Sequence, residues 1–578
     1  MTVELSPAHK AAQEAQARVE QCLEIERSFR LEAGAGAGKT YSLVEALKKI
    51  ISERGKTLIQ AGQQVACITY TEVAREEIAR DIAEHPAILV NTIHGFGWSF
   101  ISRFQKELRS LVAKQPERQE AIEEAGGISG QRVDYSFGFF RIDEEKIMLS
   151  HDDVPRFLAA MLSNEKTRRV FKSNYPILFI DEYQDTDPSI MESLSANFFM
   201  VGDGPVVGLF GDHWQTIYRK DFELVEFENV EGIDKKSNFR SVPPIVNVLN
   251  RLRPELAQEV EDPEAAGEAR FFHCNDYIGD RVSTAHAKNE LPEEKHAWAI
   301  EQVQEQLVKE GWDFSPEKTK VLMLTHNSIA AKQGYPNLAR IFKRNEAFAK
   351  KEDATISFLI DTIEPLCMSF SNRRYGEMFQ LLGKAPTIQS IGDKESWRQD
   401  MEALIALRKN GTVGQVIDHL KDKCRPRLND KVAAKEKALT DFNPDGGEEE
   451  PTSSVRQREL RETNYSEILA VERYVSGSTP FATQHSVKGA QFPNVLVVLS
   501  GGWNQYNWPR FLEQVQTGKI TAAHRAGYYR ARNLFYVALS RPKKRLAVLA
   551  TQELNADALL AAEHLFTPEM VLKLPFGT

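Results

Sequence analysis

Asp181 and Glu182 are adjacent carboxylates at the end of a short apolar run, Ile177-Leu178-Phe179-Ile180, a placement that suits a divalent metal and a water. The first carboxylate can join the ion's hydration shell, leaving the second to orient a nucleophilic water for phosphoryl transfer. An acidic pair at a strand end is more often a helix cap or a solvated turn, so this chemistry requires a phosphate cradle elsewhere in the chain. The stretch Ala33 to Thr40 supplies one: Gly34, Ala35, Gly36, Ala37 and Gly38 make a Gly-rich loop that runs into Lys39 and Thr40. Backbone N–H groups of such a loop converge on phosphates at a helix N-terminus, with Lys39 as a point charge and the Thr40 hydroxyl on Mg²⁺. Ala33 stands where the strict pattern has Gly. The two motifs together imply ATP and Mg²⁺, with Thr40 and Asp181 toward the metal.

These residues need strands and helices to aim them. Phe29, Leu31 and Ala33 alternate as a strand does before the loop, and Leu43, Val44, Leu47, Ile50 and Ile51 fall on one helix face after it. Similar strand-plus-polar-tip units occur at Val65–Thr71, Val90–Phe96 and Val206–Tyr218. A later set comprises Val321–His326, Val495–Leu499 and Leu546–Leu549. Apolar runs alternating with helical segments predict parallel sheets covered on both faces, here as two α/β lobes. The stretches 105–170 and 346–440 read as helical insertions, and Asn443 to Ser454 reads as a flexible acidic linker.

The chain has 578 residues, enough for about three to four domains at usual sizes. Its 42% hydrophobic and 27% charged content are those of a globular protein. No apolar run reaches the roughly eighteen residues that a membrane span requires, and the polar N-terminus lacks a signal-peptide core, so a cytoplasmic location is expected. Five scattered cysteines form no C-x-x-C pair, which argues against a disulfide framework or a zinc site. A net charge of −9 argues mildly against a small DNA-binding domain. It does not exclude a strand-tracking groove, which needs only local positive charge and aromatic platforms.

Eight segments in order resemble those of the UvrD/Rep/PcrA family of superfamily 1 DNA helicases: the phosphate loop, Thr69-Tyr70-Thr71, Thr92-Ile93-His94, Asp181 to Asp185, Gly211 to Tyr218, Asn238 to Ser241, His485 to Phe492 and Asn533 to Arg541. The resemblance implies two RecA-like lobes. The first lobe (1A) covers 1–104 and 172–233, with an insertion (1B) at 105–171. The second (2A) covers 234–345 and 463–578, with a reduced insertion (2B) at 346–462. It implies an ATP hydrolase moving 3′–5′ on single-stranded DNA or DNA with a 3′ tail, with no membrane partner. Glu182 would activate water, Gln215 would sense the γ-phosphate, and Arg240 and Arg541 would reach it from the second lobe. Phe239 would stack on adenine, and Gln13 would read the base, although His9 falls where the family pattern places its Gln. Tyr70, Thr92, His94, Tyr218 and His485 would contact the strand. Further departures are Gln491 in place of Glu, and His213-Trp214 in place of acidic residues. The aromatic segment Trp503 to Trp508 would be a packed loop, or an element that separates duplex or meets a partner. The short length also resembles the helicase-like subunit of Gabija-type anti-phage systems. In that case the chain would be an ATPase sensor partnered by a nuclease. A non-motor P-loop ATPase is the third alternative.

Overall fold

The computed structural model describes residues 5–136, 140–200, 202, 204–217, 227–284, 287–324, 326–342, 351–382, 388–442, 450–501 and 505–576. The chain forms two compact units. One consists of Met1–Arg270, Arg510–Leu546 and Asn555–Val571, and the other of Phe271–Pro509, Ala547–Leu554 and Leu572–Thr578.

The first unit is built on six strands: β1 (Phe29–Ala33), β2 (Val65–Thr69), β3 (Ile88–Thr92), β4 (Ile177–Asp181), β5 (Val206–Gly211) and β6 (Glu231–Lys235). They lie in the order β3-β2-β4-β5-β1-β6, every neighbour parallel. Buried parallel strands read as continuous apolar runs because helices cover both faces, and β2 and β4 are buried at every position. Phe29, Phe179 and Phe210, from β1, β4 and β5, pack edge to face with centroids 5.2–6.1 Å apart. Edge-to-face pairs add about 0.5–1.5 kcal/mol each beyond the area they bury, so this trio fixes the register of the three strands that matter most. The register sets Glu32 opposite Gly211 and Asp181 opposite Phe210. Polar groups thereby gather at the C-terminal edge of the sheet, where open α/β sheets bind their ligands.

Two local features differ from the sequence reading. The unit at Val90–Phe96 is split: the strand ends at Thr92, and a helix, Ile93–Ile101, begins at once. Thr92 caps that helix by accepting the Gly95 N–H at 3.2 Å. The insertion after residue 104 is helical at Gln105–Ala113, Asp153–Leu162 and Glu165–Asn174 but also holds a three-stranded sheet, Arg132–Tyr135, Arg141–Ile142 and Lys146–Leu149. Val133, Ile147 and Leu149 are fully buried there. Strands of two to four residues are too short for their alternation to stand out against a charged background.

The second unit carries most of a sheet of β7 (Glu268–His273), β8 (Thr319–Met323), β9 (Phe481–Thr483), β10 (Phe492–Leu499), β11 (Pro542–Ala550) and β12 (Val571–Lys573), ordered β9-β8-β10-β11-β7-β12. Strand β8 is parallel to both β9 and β10. Its insertion is helical as expected, with Ile391–Asn410 and Val413–Lys423 each opened by a capping box, Ser390 with Asp393 and Thr412 with Gln415. The expected linker is shorter than its composition suggested. Residues 443–449 lie outside the described residues, and Thr452 already starts a helix that runs to Glu462. No helix among the described residues is long and apolar enough to cross a membrane.

Candidate nucleotide site

The Gly-rich loop joins β1 to the helix Lys39–Gln60. Gly36 and Gly38 have φ of +79° and +74°, a left-handed backbone that a side chain would strain. At Gly36 a Cβ would also stand 2.8 Å from Asn238 Oδ1. The close neighbour is the segment after β6. Asn238 Nδ2 donates to the Ala35 carbonyl at 3.1 Å, Ser237 Oγ to the Ala37 carbonyl at 3.1 Å, and the Phe239 N–H to the Gly36 carbonyl at 2.9 Å. Gln258 Nε2 also reaches the Ala35 carbonyl, at 3.2 Å, and Tyr536 Oη accepts the Ala35 N–H at 3.0 Å. The loop's carbonyls are therefore held from behind. Beneath it lies a buried lysine that the sequence did not flag. Lys235 Nζ donates to the Gly38 carbonyl at 2.8 Å and to Ser42 Oγ at 2.7 Å, and burial brings its pKa down to about 8.

Lys39 and the acidic pair meet as their types required. Lys39 Nζ stands 2.5 Å from Glu182 Oε1 and 3.6 Å from Asp181 Oδ1. Burial works against its ammonium, but the charges of Glu182 and Asp181 outweigh that and hold its pKa above the ordinary lysine value. Burial lifts the Asp181 carboxyl above its usual range, with Lys39 opposing. Asp181 Oδ1 is buried with no hydrogen-bond partner, and Thr40 lies in the first turn of the following helix. A buried carboxylate oxygen that is ion-paired to Lys39 but accepts no hydrogen bond, beside a Gly-rich helix N-terminus, fits a divalent ion and the phosphates it would accompany.

The turn after β4 explains the residues beyond the acidic pair. Glu182 takes a left-handed backbone, φ 51°, which costs a non-glycine residue about 1 kcal/mol or more. Neighbouring strand ends hold that turn. Tyr183 Oη donates to Glu32 Oε2 at 2.8 Å, Gln184 Oε1 accepts the Asp212 N–H at 3.1 Å, and Gln184 Nε2 bonds the Glu182 carboxylate.

Gln215 follows β5 and is held at both ends of its amide. Its Nε2 donates to Asp212 Oδ2 at 2.8 Å, and its Oε1 accepts from Arg541 Nη2 at 3.4 Å. Arg541 is 1% exposed and bonds the Val537 carbonyl and Ser540 Oγ, while Arg240 Nη1 donates to the Ser540 carbonyl at 3.0 Å. Burial, then the neighbouring Arg240, bring the Arg541 pKa down to about 9. Both arginines lie in the same compact unit as the phosphate loop.

Sequence reasoning missed Arg253 and Glu32. Arg253 Nη1 stands 2.7 Å from Asp212 Oδ1 and Nη2 stands 3.0 Å from Glu32 Oε1. Glu32, Asp212 and His213 offer ligand atoms close enough to share a metal ion, but this guanidinium already bridges two of the three. A signal existed for Glu32: a carboxylate inside a buried parallel strand must have a partner.

On the base side, Phe239 packs edge to face against His9 at 5.0 Å. Gln13 is an exposed residue one turn further along the same helix, Pro7–Glu24. Of the expected strand contacts, Tyr70 is half exposed just beyond the end of β2. His94 is not at a strand end. It sits in the first turn of Ile93–Ile101 and stacks on His151 of the insertion at 3.4 Å. Burial, then His151, bring its pKa down to about 4. In the second unit, His485 Nε2 lies 2.8 Å from Tyr506 Oη, and Tyr506 stacks on the buried Trp508. The described part of that aromatic segment is packed. Tyr218 and Trp503 lie outside the described residues.

Residues 6–221 match a family described as an AAA domain. The chain is 22% identical to the Gabija protein GajB of Bacillus cereus (strain HuB5-5), over 89% of this chain and 92% of that protein. It is 30% identical to an ATP-dependent helicase/nuclease subunit of Syntrophomonas wolfei, over 41% of this chain and 20% of that protein. The corresponding helicase/nuclease protein of Streptococcus uberis is 28% identical over 28% of this chain and 14% of its own length. The chain therefore spans nearly all of the first relative and a fifth or less of the other two.

Proposed function

We propose that this chain, which carries the AAA domain of the UvrD-like helicases, hydrolyses ATP to move 3′–5′ along single-stranded DNA. The observation that carries the reading is the convergence of Lys39, Asp181 and Glu182 beside the phosphate loop, with Gln215 bonded to Arg541 in the same unit. Lys39, Thr40 and Asp181 would hold the phosphates and Mg²⁺, and the bound ion would neutralise phosphate charge. Glu182, on its fixed turn, orients a water and accepts its proton. Gln215 reports the γ-phosphate, and the guanidiniums of Arg240 and Arg541 stabilise charge as it spreads in the transition state. Phe239 offers a face to the adenine, with His9 rather than Gln13 against it. In this reading residues 234–345 and 463–578 form the second motor lobe, although 234–270, 510–546 and 555–571 of them belong to the compact unit that holds the phosphate loop. Tyr70, Thr92, His94 and His485 contact the strand, where stacking tolerates any base. Opening duplex costs roughly 1.4 kcal/mol per base-pair step, a load within reach of a motor taking short steps.

The test is the ATPase rate with and without single-stranded DNA, in wild type and in Glu182→Gln. The expected result is stimulation of the wild type, and a variant that binds ATP without turning it over. A wild-type rate indifferent to DNA would overturn the motor.

A second reading is favoured by the coverage of GajB, which this chain matches along nearly its whole length. In it the same ATPase is the sensor component of a nuclease-containing defence complex. Co-purification with a nuclease, together with poor unwinding of a 3′-tailed duplex by the chain alone, would favour the sensor. Efficient unaided unwinding would reject it.

A further inference from the structure

We propose that Arg253 is a positioning residue that sets Gln215 and the Glu182 turn together from one buried guanidinium, making the preference for a nucleoside triphosphate over a diphosphate depend on it. The inference rests on the ATP-hydrolysis reading and extends it to a residue that touches none of the phosphate-loop residues.

The geometry is a symmetric relay. Arg253 is 2% exposed and caps the C-terminus of the helix Pro243–Leu252. Its two terminal nitrogens engage two carboxylates, Asp212 Oδ1 and Glu32 Oε1. Each carboxylate turns its other oxygen to one segment of the site. Asp212 Oδ2 accepts from Gln215 Nε2, and Glu32 Oε2 accepts from Tyr183 Oη, next to Glu182. The His213 N–H and Nδ1 also lie on Glu32 Oε1, at 2.9 and 2.7 Å. Between Asp212 and Gln215, the Trp214 ring is flanked by two guanidiniums, Arg532 at 3.9 Å and Arg253 at 5.1 Å from its centroid. The three residues Asp212, Trp214 and Gln215 are thus fixed through their contacts with Arg253 or with each other.

A buried charge cluster of this kind adds little to stability, because a well-packed apolar core of the same volume is often as stable or more so. What a planar guanidinium supplies is a rigid angle between two acceptors, which a lysine's point charge cannot reproduce. That angle decides where the Gln215 amide and the Glu182 turn lie relative to one another. A diphosphate has no γ-phosphate for Gln215 to read, so its binding should not register a change in the angle.

The experiment compares wild type with Arg253→Lys and Arg253→Met. Equilibrium titrations give affinity for ADP and for the slowly hydrolysed analogue ATPγS, alongside kcat and melting temperature. For Arg253→Lys, ADP affinity should stay within about twofold while the ATPγS-over-ADP preference and kcat each fall about tenfold, the effect of one charge-assisted hydrogen bond lost. Should Arg253→Met fail to fold, Arg253→Lys alone decides. Overturning outcomes are a folded Arg253→Lys with wild-type preference and kcat, or one that loses ADP and ATPγS affinity equally, which would mark a purely structural role. A wild type that hydrolyses no ATP, indistinguishable from Glu182→Gln, would sink the ATPase reading. The binding preference would still judge Arg253.

Discussion

Gln215 lies between two arginine environments that solve the same burial problem differently. On one side Arg253 is held by carboxylates, and although burial penalises its charge, Asp212 leads the groups that raise its pKa above the ordinary value. On the other side Arg541 sits beside Arg240. It bonds a carbonyl, a hydroxyl and the Gln215 amide, and burial with like-charge repulsion takes its pKa down to about 9. A guanidinium already neutralised is fixed in place by the fold. One that lies beside a second guanidinium gains most from an anion brought to it, and in the proposed reading that anion is the γ-phosphate. In that reading the difference separates a residue that positions from residues that act.

The most severe way to break that comparison is Arg541→Ala. Loss of a transition-state guanidinium should lower kcat by about 10³-fold, while any loss of melting temperature stays small, because relief of the like charge beside Arg240 offsets part of the packing and hydrogen bonds removed. Steady-state ATPase and calorimetry on one preparation check both halves. A drop in melting temperature with kcat intact would reverse the assignment. Arg253→Met should do the opposite in kind. It strands Asp212 and Glu32 as buried carboxylates, so unfolding free energy should fall by about 3–5 kcal/mol. Denaturant titration of the unit that carries it gives the number, and a cost near zero would show the carboxylates finding other partners. Adding Glu32→Gln to Arg253→Met should recover about 1–2 kcal/mol, since a neutral amide costs less to bury than an unpaired carboxylate.

The sequence exposed one environment and hid the other. Lys39, Asp181 and Glu182 were legible because each stands in a short segment whose residue types suit one task, Gln215 and Arg541 were singled out only through the family resemblance, and both parallel sheets were legible from runs such as Ile177-Leu178-Phe179-Ile180. Arg253 was not, because it follows an unremarkable amphipathic helix and its partners are 41 and 221 residues away in sequence. No local pattern encodes such a pairing. Glu32 could have been suspected from its place among Leu31, Ala33 and Phe29, but the partner could not have been named. The strands of the first insertion escaped for another reason: Val133, Ile147 and Leu149 are too few for a period to show.

Lys235 sharpens the comparison with the smallest expected effect. It is 1% exposed, lies directly beneath the phosphate loop, and donates to the Gly38 carbonyl and Ser42 Oγ, with the Tyr41 ring 6.0 Å away and no carboxylate paired with it among the described residues. Burial takes its pKa from 10.5 to about 8. The unfolded chain keeps this proton up to pH 10.5, and the folded chain only up to about 8. Between those values the unfolded state binds more protons, so raising the pH favours the folded state. Below pH 8 both states are protonated and the buried ammonium costs a constant amount, up to about 3 kcal/mol before its two hydrogen bonds are counted. Lys235→Met removes the charge and those bonds, so at pH 7 it should stabilise the unit by about 1 kcal/mol. The gap between variant and wild type should then close within about one pH unit above 8 and reverse in favour of the wild type at higher pH, read from paired melting curves between about pH 7 and 10.5. A constant gap would mean that Lys235 keeps its proton in the fold, which requires an anion at the loop to hold it, as Asp212 and Glu32 hold Arg253.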